Sequence, residues 1–137
     1  MARALPDAGP GYVFLGNGLG GRPEGREFYD ADGHGLYAAV AQAPFFAAGL
    51  ARLREGMSRY RVALMCSEED PTDCHRFLLV ARELAKDGAD VRHIRADGRV
   101  ETQAEVDDRY EGHSAQQTLI APPSRPRRST RPVAVGL

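Results

Sequence analysis

Residues 61–76, RVALMCSEEDPTDCHR, decide the predicted fold of this chain. The first six residues form an apolar run of the kind found in buried β-strands. Asp70 and Pro71 then predict a helix start, because aspartate caps free N–H groups and proline is accepted at the first helical position. The stretch therefore predicts a strand, an acidic turn and a helix, with Cys66 at the strand tip and Cys74 one turn into the helix.

The flanking sequence predicts more elements of the same kind. Residues 12–15 and 91–94 have the apolar, β-prone character of strands, and residues 99–101 suit a short edge strand after a tight turn. Residues 36–42, 44–56 and 104–111 have helical patterns. Because strands alternate with helices, we expect the α/β class: a small, mostly parallel sheet of three to four strands, with flanking helices and Rossmann-like βαβ units.

Length and charge limit what the chain can be. Its 137 residues suit a single core, so we predict one α/β domain over residues 1–112 and a disordered, Pro/Arg-rich tail over residues 113–137. The tail holds four arginines; without them the formal net charge of −1 becomes −5, which argues against nucleic-acid binding except weakly through the tail. No apolar run approaches a membrane span and no secretory signal is recognisable, so we expect a cytoplasmic protein.

A glycine-rich segment follows the first predicted strand. Residues 16–21 contain a literal G-x-G-x-x-G, but the dinucleotide fingerprint requires a helix at the third glycine, and Arg22 and Pro23 follow instead. We interpret the segment as a turn that lets backbone approach backbone. A second interpretation is that Gly20 and Gly21 hold Arg22 at the rim of a cleft, where its guanidinium would suit a carboxylate or phosphate.

A second loop, residues 28–35 (FYDADGHG), resembles a calcium loop only faintly, because no acidic ligand stands at the required later position. We predict a solvated turn in which His34 is a surface histidine.

The two cysteines are too few for a disulfide scaffold, and in a reducing compartment they favour free thiols, metal ligands or catalytic groups. A helix N-terminus favours the thiolate form of a nearby cysteine, whereas the surrounding acids oppose it. Cys74 falls on the apolar helix stripe and is predicted to be core, whereas Cys66 at the strand tip is open to chemistry. The opposing acids are Glu68, Glu69, Asp70 and Asp73.

The spacing of the reactive residues argues against two specific kinds of site, a cysteine phosphatase and a zinc site. A cysteine phosphatase needs five residues between its cysteine and its arginine, and neither Cys66 nor Cys74 stands at that distance from Arg76. A zinc site would need Cys74 and His75 to converge, but adjacent helical residues diverge by about 100 degrees, and no fourth ligand is evident. We therefore predict no metal site. Arg76 is expected to pair with one of the acids, with an anion clamp as its functional alternative.

The segment from residue 61 to residue 101, together with YVFLGNGLGGRP upstream, closely resembles the bacterial family called domain of unknown function 488, over about residues 11–110. The resemblance implies a compact cytoplasmic α/β domain, without a settled activity. It also implies that the family's first strands are missing here, so we expect the DNA upstream of Met1 to encode them in frame. The shared polar residues that it implies are Gly20, Gly21, Arg22, Cys66, Glu68, Cys74, His75 and Arg76.

The leading functional hypothesis is the binding of a small anionic ligand at this junction, with thiol-dependent catalysis as an extension. The alternatives are a noncatalytic interaction module and weak nucleic-acid binding through the tail. The sequence leaves the cofactor unknown. The predicted catalytic residues are Cys66, His75 and Arg76, and the predicted ligand-binding residues are Gly20, Gly21, Arg22, Glu68 and Cys74.

Overall fold

A computed structural model describes residues 11–116 and 128–129 of the chain. Most of its helical elements precede its two strands, and one helix follows them. In chain order they are helix α1 (Gly16–Leu19), a 3-10 turn (Arg26–Phe28), α2 (Tyr37–Ala41), α3 (Pro44–Arg59), a second 3-10 turn (Pro71–Asp73), a π-helical segment (Arg76–Ala81) continuing into α4 (Arg82–Lys86), strands β1 (Arg92–Ile94) and β2 (Val100–Thr102), and α5 (Gln103–Gln116). Among the described residues, no helix is both long and apolar enough to cross a membrane.

The predicted parallel α/β sheet is wrong. Over residues 11–116 and 128–129 the only sheet has two strands, β1 and β2, which pair antiparallel with His93 opposite Glu101. The tight turn between them was predicted, and Gly98 adopts a φ of 87° there, a conformation that glycine reaches without steric cost. The described residues therefore form a mostly helical structure with one antiparallel hairpin.

The two apolar runs at residues 12–15 and 61–66 do not form strands. Val13, Phe14 and Met65 are 60%, 66% and 58% exposed. A strand is stabilised by a neighbouring strand with which it exchanges backbone hydrogen bonds. In the described residues neither run has such a neighbour. The apolar character of the two runs therefore predicted strands for which the described structure supplies no pairing partner.

The core lies between α3, the 76–86 helix and α5. The predicted stripe of α3 is confirmed, because Phe46, Leu50 and Leu53 are buried. The 76–86 helix contributes a continuous buried set, and α5 adds Val106 and Tyr110. This packing holds the N-terminal end of the 76–86 helix, where the reactive side chains lie, in a fixed position.

The glycine-rich segment brings two helices into close contact. Contrary to the prediction of a turn throughout, the short helix α1 forms within the segment. This helix ends before Gly21, and no helix begins at Gly21. A Cβ atom at Gly18 would lie 3.0 Å from the Cα of Gly49 in α3. The predicted close approach of backbone to backbone is therefore confirmed, and the segment does not have the helix of a dinucleotide loop.

The loop at residues 29–35 is a turn, as predicted, closed by Asp30, whose side chain accepts hydrogen bonds from the N–H groups of Asp32 and His34 at 3.0 Å and 2.8 Å. His34 is not a free surface histidine, because its Nδ1 lies 2.7 Å from the carbonyl oxygen of Ser129. Arg128 pairs with Asp30 at 2.7 Å. Part of the predicted tail therefore packs on this loop, and residues 117–127 and 130–137 lie outside the described residues.

Candidate functional site

The acidic turn is capped as predicted. The Asp70 carboxylate accepts hydrogen bonds from the backbone N–H and the hydroxyl of Thr72, at 2.9 Å and 2.8 Å, and Pro71 occupies the first helical position. The turn that it caps is only three residues long and ends at Cys74, whose backbone is extended (φ −123°, ψ 143°). Cys74 therefore precedes the 76–86 helix and does not lie within it.

The extended backbone brings Cys74 and His75 together. The Sγ atom of Cys74 lies 3.7 Å from Nδ1 of His75, so the helical divergence of adjacent residues does not apply. One ligand atom from each of Cys66, Cys74 and His75 lies within 4.8 Å of the other two. Cys74 is also buried, as predicted, with 2% of its surface exposed. The premise on which a metal was rejected from the sequence is therefore wrong.

The two cysteines are neighbours, although the sequence favoured free thiols, metal ligands or catalytic groups over a disulfide. Their sulfur atoms are paired as a disulfide, with Cα atoms 7.4 Å apart. In the reduced form the Cys66 thiol would face the carbonyl oxygen of Glu68, 3.8 Å from its sulfur. The backbone N–H of Arg76 donates to the Cys74 sulfur at 3.4 Å. The junction therefore places two sulfurs and one imidazole in a single cluster.

The expected ion pair between Arg76 and an acid of the turn does not form. Nη2 of Arg76 instead donates to the backbone carbonyls of Glu68 and Glu69, at 2.9 Å and 3.4 Å. In the part of the chain that the structure describes, its buried Nε has no hydrogen-bond partner. Burial is the main cause that lowers the pKa of Arg76. This cation is therefore half-buried without a carboxylate of its own.

The acids of the turn bind other arginines. Arg95 makes a two-point contact with Glu69, at 2.9 Å and 3.0 Å, and its hydrogen bonds hold the pKa of Glu69 at about 2. Arg109 contacts both carboxylate oxygens of Asp70 at 3.2 Å, and Glu101 accepts from both arginines. Sequence reasoning missed this network, because no local pattern ties the hairpin and α5 to the turn.

The glycine turn reaches the junction through Gly21. A Cβ atom there would lie 3.0 Å from Nδ1 of His75, so any other residue would require the ring to shift by a few tenths of an ångström. Burial, and then the charge of Arg76, lowers the pKa of His75, which favours the neutral imidazole at pH 7. Gly20, the neighbour of Gly21 in the chain, is half-buried. Arg22 is exposed, and no described hydrogen bond or ion pair ties it to the junction.

A cavity of about 190 Å³ lies elsewhere, lined by Tyr37, Gln42, Leu79 and Arg82 among others. None of the predicted site residues lines it. The reactive cluster therefore lies outside this cavity.

Comparison with protein families places the chain. The family model described as "Domain of unknown function DUF488" matches residues 1–84, which is more than half of the sequence. This chain belongs to the DUF488 family. The match includes every predicted site residue of this DUF488 protein, from Gly20 to Arg76. Comparisons with curated proteins and with solved structures find no match.

Proposed function

We propose that this DUF488 protein binds a small anionic ligand beside Arg76, between the 20–22 turn and the 66–76 junction. The observation that carries the proposal is the half-buried guanidinium of Arg76, which has an unbonded Nε and, within the described residues, no carboxylate partner. A partly desolvated charge costs free energy unless an opposite charge compensates it. The guanidinium fork suits a carboxylate or a phosphate, which can accept two of its hydrogens.

The surroundings of Arg76 support the same function. Glu69 and Asp70, which would otherwise repel an anion, are engaged by Arg95 and Arg109. His75 lies next to Arg76 in its neutral form and can donate a hydrogen bond to an anion or accept a proton from it. The anion would therefore meet one unpaired cation and one neutral donor.

Thiol dependence is the second part of the proposal. Cys66 is half-buried and Cys74 is buried, so Cys66 is the cysteine that a reagent reaches first once the pair is reduced. Alkylation of Cys66 with iodoacetamide should abolish anion binding, because the added group fills the junction. The catalytic roles of Cys66, His75 and Arg76 stay predictions.

Thermal unfolding in the presence of phosphate tests anion binding. Phosphate and sulfate should raise the melting temperature of the wild-type chain above that in chloride at equal ionic strength, because a ligand that binds only the folded state stabilises it. Arg76→Gln should remove this rise. Arg82→Gln, a change at an exposed arginine on the same helix, should keep it. An equal rise in Arg76→Gln would show that Arg76 does not hold the anion.

A noncatalytic interaction module is the second candidate, and exposed apolar side chains favour it. Phe14, Met65 and Ile94 are 66%, 58% and 66% exposed, so they offer apolar surface that a partner could cover. Such a module would show no specific shift with phosphate. Weak nucleic-acid binding through the tail ranks third, and it predicts a salt-sensitive affinity that disappears when residues 122–137 are removed.

A further inference from the structure

The cluster at the junction has the composition and the spacing of a metal site. Zinc-class ions bind thiolate sulfur at about 2.3 Å and imidazole nitrogen at about 2.0–2.1 Å, so two such atoms on one tetrahedral ion stand roughly 3.5 Å apart. The distance from Cys74 Sγ to His75 Nδ1 is 3.7 Å. We propose that Cys66, Cys74 and His75 together hold a divalent transition metal ion of the zinc class.

The cysteine pair can open to admit an ion. Cys66 ends the segment at residues 61–66, which is largely exposed and belongs to no strand in the described part of the chain. The Cα atoms of Cys66 and Cys74 are 7.4 Å apart, above the range of most disulfides. Two sulfurs that share an ion stand farther apart than two bonded sulfurs, so this backbone spacing suits a bridging ion.

The environment of Cys74 supports thiolate ligation. The backbone N–H of Arg76 points at its sulfur, 3.4 Å away, and hydrogen bonds to a charged sulfur favour the ionised ligand. Hydrogen bonds of this kind around the ligands orient them and strengthen metal binding. Cys74 is 2% exposed, so water competes little for its sulfur.

The site is of the open type. Within the described residues the cluster has three members, whereas zinc takes four ligands. Three protein ligands with a free fourth position are the pattern of zinc sites that bind water or substrate. Arg76 follows His75 directly in the chain, and its backbone N–H lies 3.4 Å from the Cys74 sulfur, so we expect the free position to take the anion; this last step alone rests on the proposed function.

Binding requires the reduced protein. A phosphine reductant first breaks the S–S bond: it gives up two electrons and becomes the phosphine oxide, while water supplies the oxygen of that oxide and the two protons of the resulting thiols. Each thiol then releases its proton to the solvent as its sulfur binds the metal. The oxidised chain lacks both thiolates, so it serves as an internal negative control.

Titration with cobalt(II) tests the site, because cobalt reports its ligands through its absorption spectrum. The full chain, reduced with a phosphine and stripped with a chelator, should bind one Co²⁺ with a thiolate-to-cobalt charge-transfer band and tetrahedral visible bands, and Zn²⁺ should displace it. Cys66→Ser, Cys74→Ser and His75→Gln should each weaken binding by at least about tenfold. His34→Gln, at a histidine outside the cluster, should bind as the wild type does.

Absence of a charge-transfer band in the reduced wild type would overturn the proposal, as would unchanged spectra in Cys66→Ser and His75→Gln. Circular dichroism identifies a variant that has unfolded. If Cys74→Ser unfolds because Cys74 is buried, Cys66→Ser, at a half-buried position, still tests the metal site. The phosphate result is independent, because it depends on Arg76. A phosphate shift without cobalt binding would contradict the metal site and support the anion site. Cobalt binding without a phosphate shift would contradict only the anion site.

Discussion

The backbone of Gly21 lies against the imidazole of His75. A side-chain Cβ at Gly21 would stand 3.0 Å from Nδ1 and 3.1 Å from Cγ of that ring. This contact joins two segments that are far apart in the sequence, the glycine turn and the cysteine junction. It also gives a physical reason for a glycine at position 21, one of the predicted ligand-binding residues.

Gly21→Ala should push the His75 ring out of place and lower the free energy of unfolding by about 1–3 kcal/mol, the usual cost of an added methyl group without space. Denaturant unfolding measures the change. The matched control is Gly56→Ala in α3, where the nearest atom to an added Cβ is 3.9 Å away. That change should stabilise the chain by about 0.5–1 kcal/mol, because alanine favours helix over glycine. Equal effects of the two changes would contradict the contact.

Phe77 should be a main support of the junction, because it is fully buried and its ring packs edge-on against His93 and Tyr110, with centroids 5.9 Å and 5.6 Å away. Phe77→Ala should cost about 3–5 kcal/mol in a denaturant titration, through lost apolar contact and a cavity. Phe14→Ala, at a phenylalanine that is 66% exposed, should change stability by about 0.5 kcal/mol or less. A small effect at Phe77 would show that this core is loosely packed.

Acid should destabilise the chain through Glu69. Its pKa is lowered from 4.5 to about 2, first by the hydrogen bond from Arg95, so its stabilising effect is complete above pH 4.5 and is lost as the pH falls through about 2. In Arg95→Gln the melting temperature should start lower and fall less over this pH range. Arg92→Gln, which removes only an exposed pair with Asp90, should keep the wild-type profile. Identical profiles for wild type and Arg95→Gln would exclude this role of the network.

Alkali should destabilise the chain through Tyr37. Burial, with a smaller contribution from Tyr29, raises the pKa of Tyr37 from 10.0 to about 12. Between these values the unfolded chain ionises first, so stability is present below pH 10 and falls as the pH rises toward about 12, by roughly 2 kcal/mol.

Tyr37→Phe should remove that decline, because phenylalanine does not titrate. Chemical unfolding at several alkaline pH values measures it, with Tyr60→Phe, at a tyrosine that is 71% exposed, as the control. A decline that persists in Tyr37→Phe would assign it to other groups.

Much of the local structure could be predicted from the sequence. The cap by Asp70 and Pro71, the start of α3 at Pro44 and its stripe of Phe46, Leu50 and Leu53 all follow from residues close together in the chain. The hairpin turn at Gly98 follows in the same way. Each of these features depends on backbone conformation and on one apolar face, which neighbouring residues determine.

The candidate site could be located from the sequence, but its geometry could not. The sequence placed Cys66, Cys74, His75 and Arg76 at one junction, yet it put Cys74 inside the helix and paired Arg76 with an acid. The extended backbone at Cys74 follows from the shortness of the capped turn. Two of the acids, Glu69 and Asp70, are bound instead by Arg95 and Arg109, which the fold brings from more than twenty residues away.

By itself, the sequence determined the start and the buried face of α3, the Asp70 cap, the hairpin turn and the family. Only the tertiary structure decided that residues 61–66 form no strand, because a strand depends on a partner that no local pattern supplies. It also decided that two cysteines and a histidine converge, and that among the described residues Arg76 has no carboxylate partner. Such contacts join distant segments, and their free energies depend on packing that neighbouring residues do not encode.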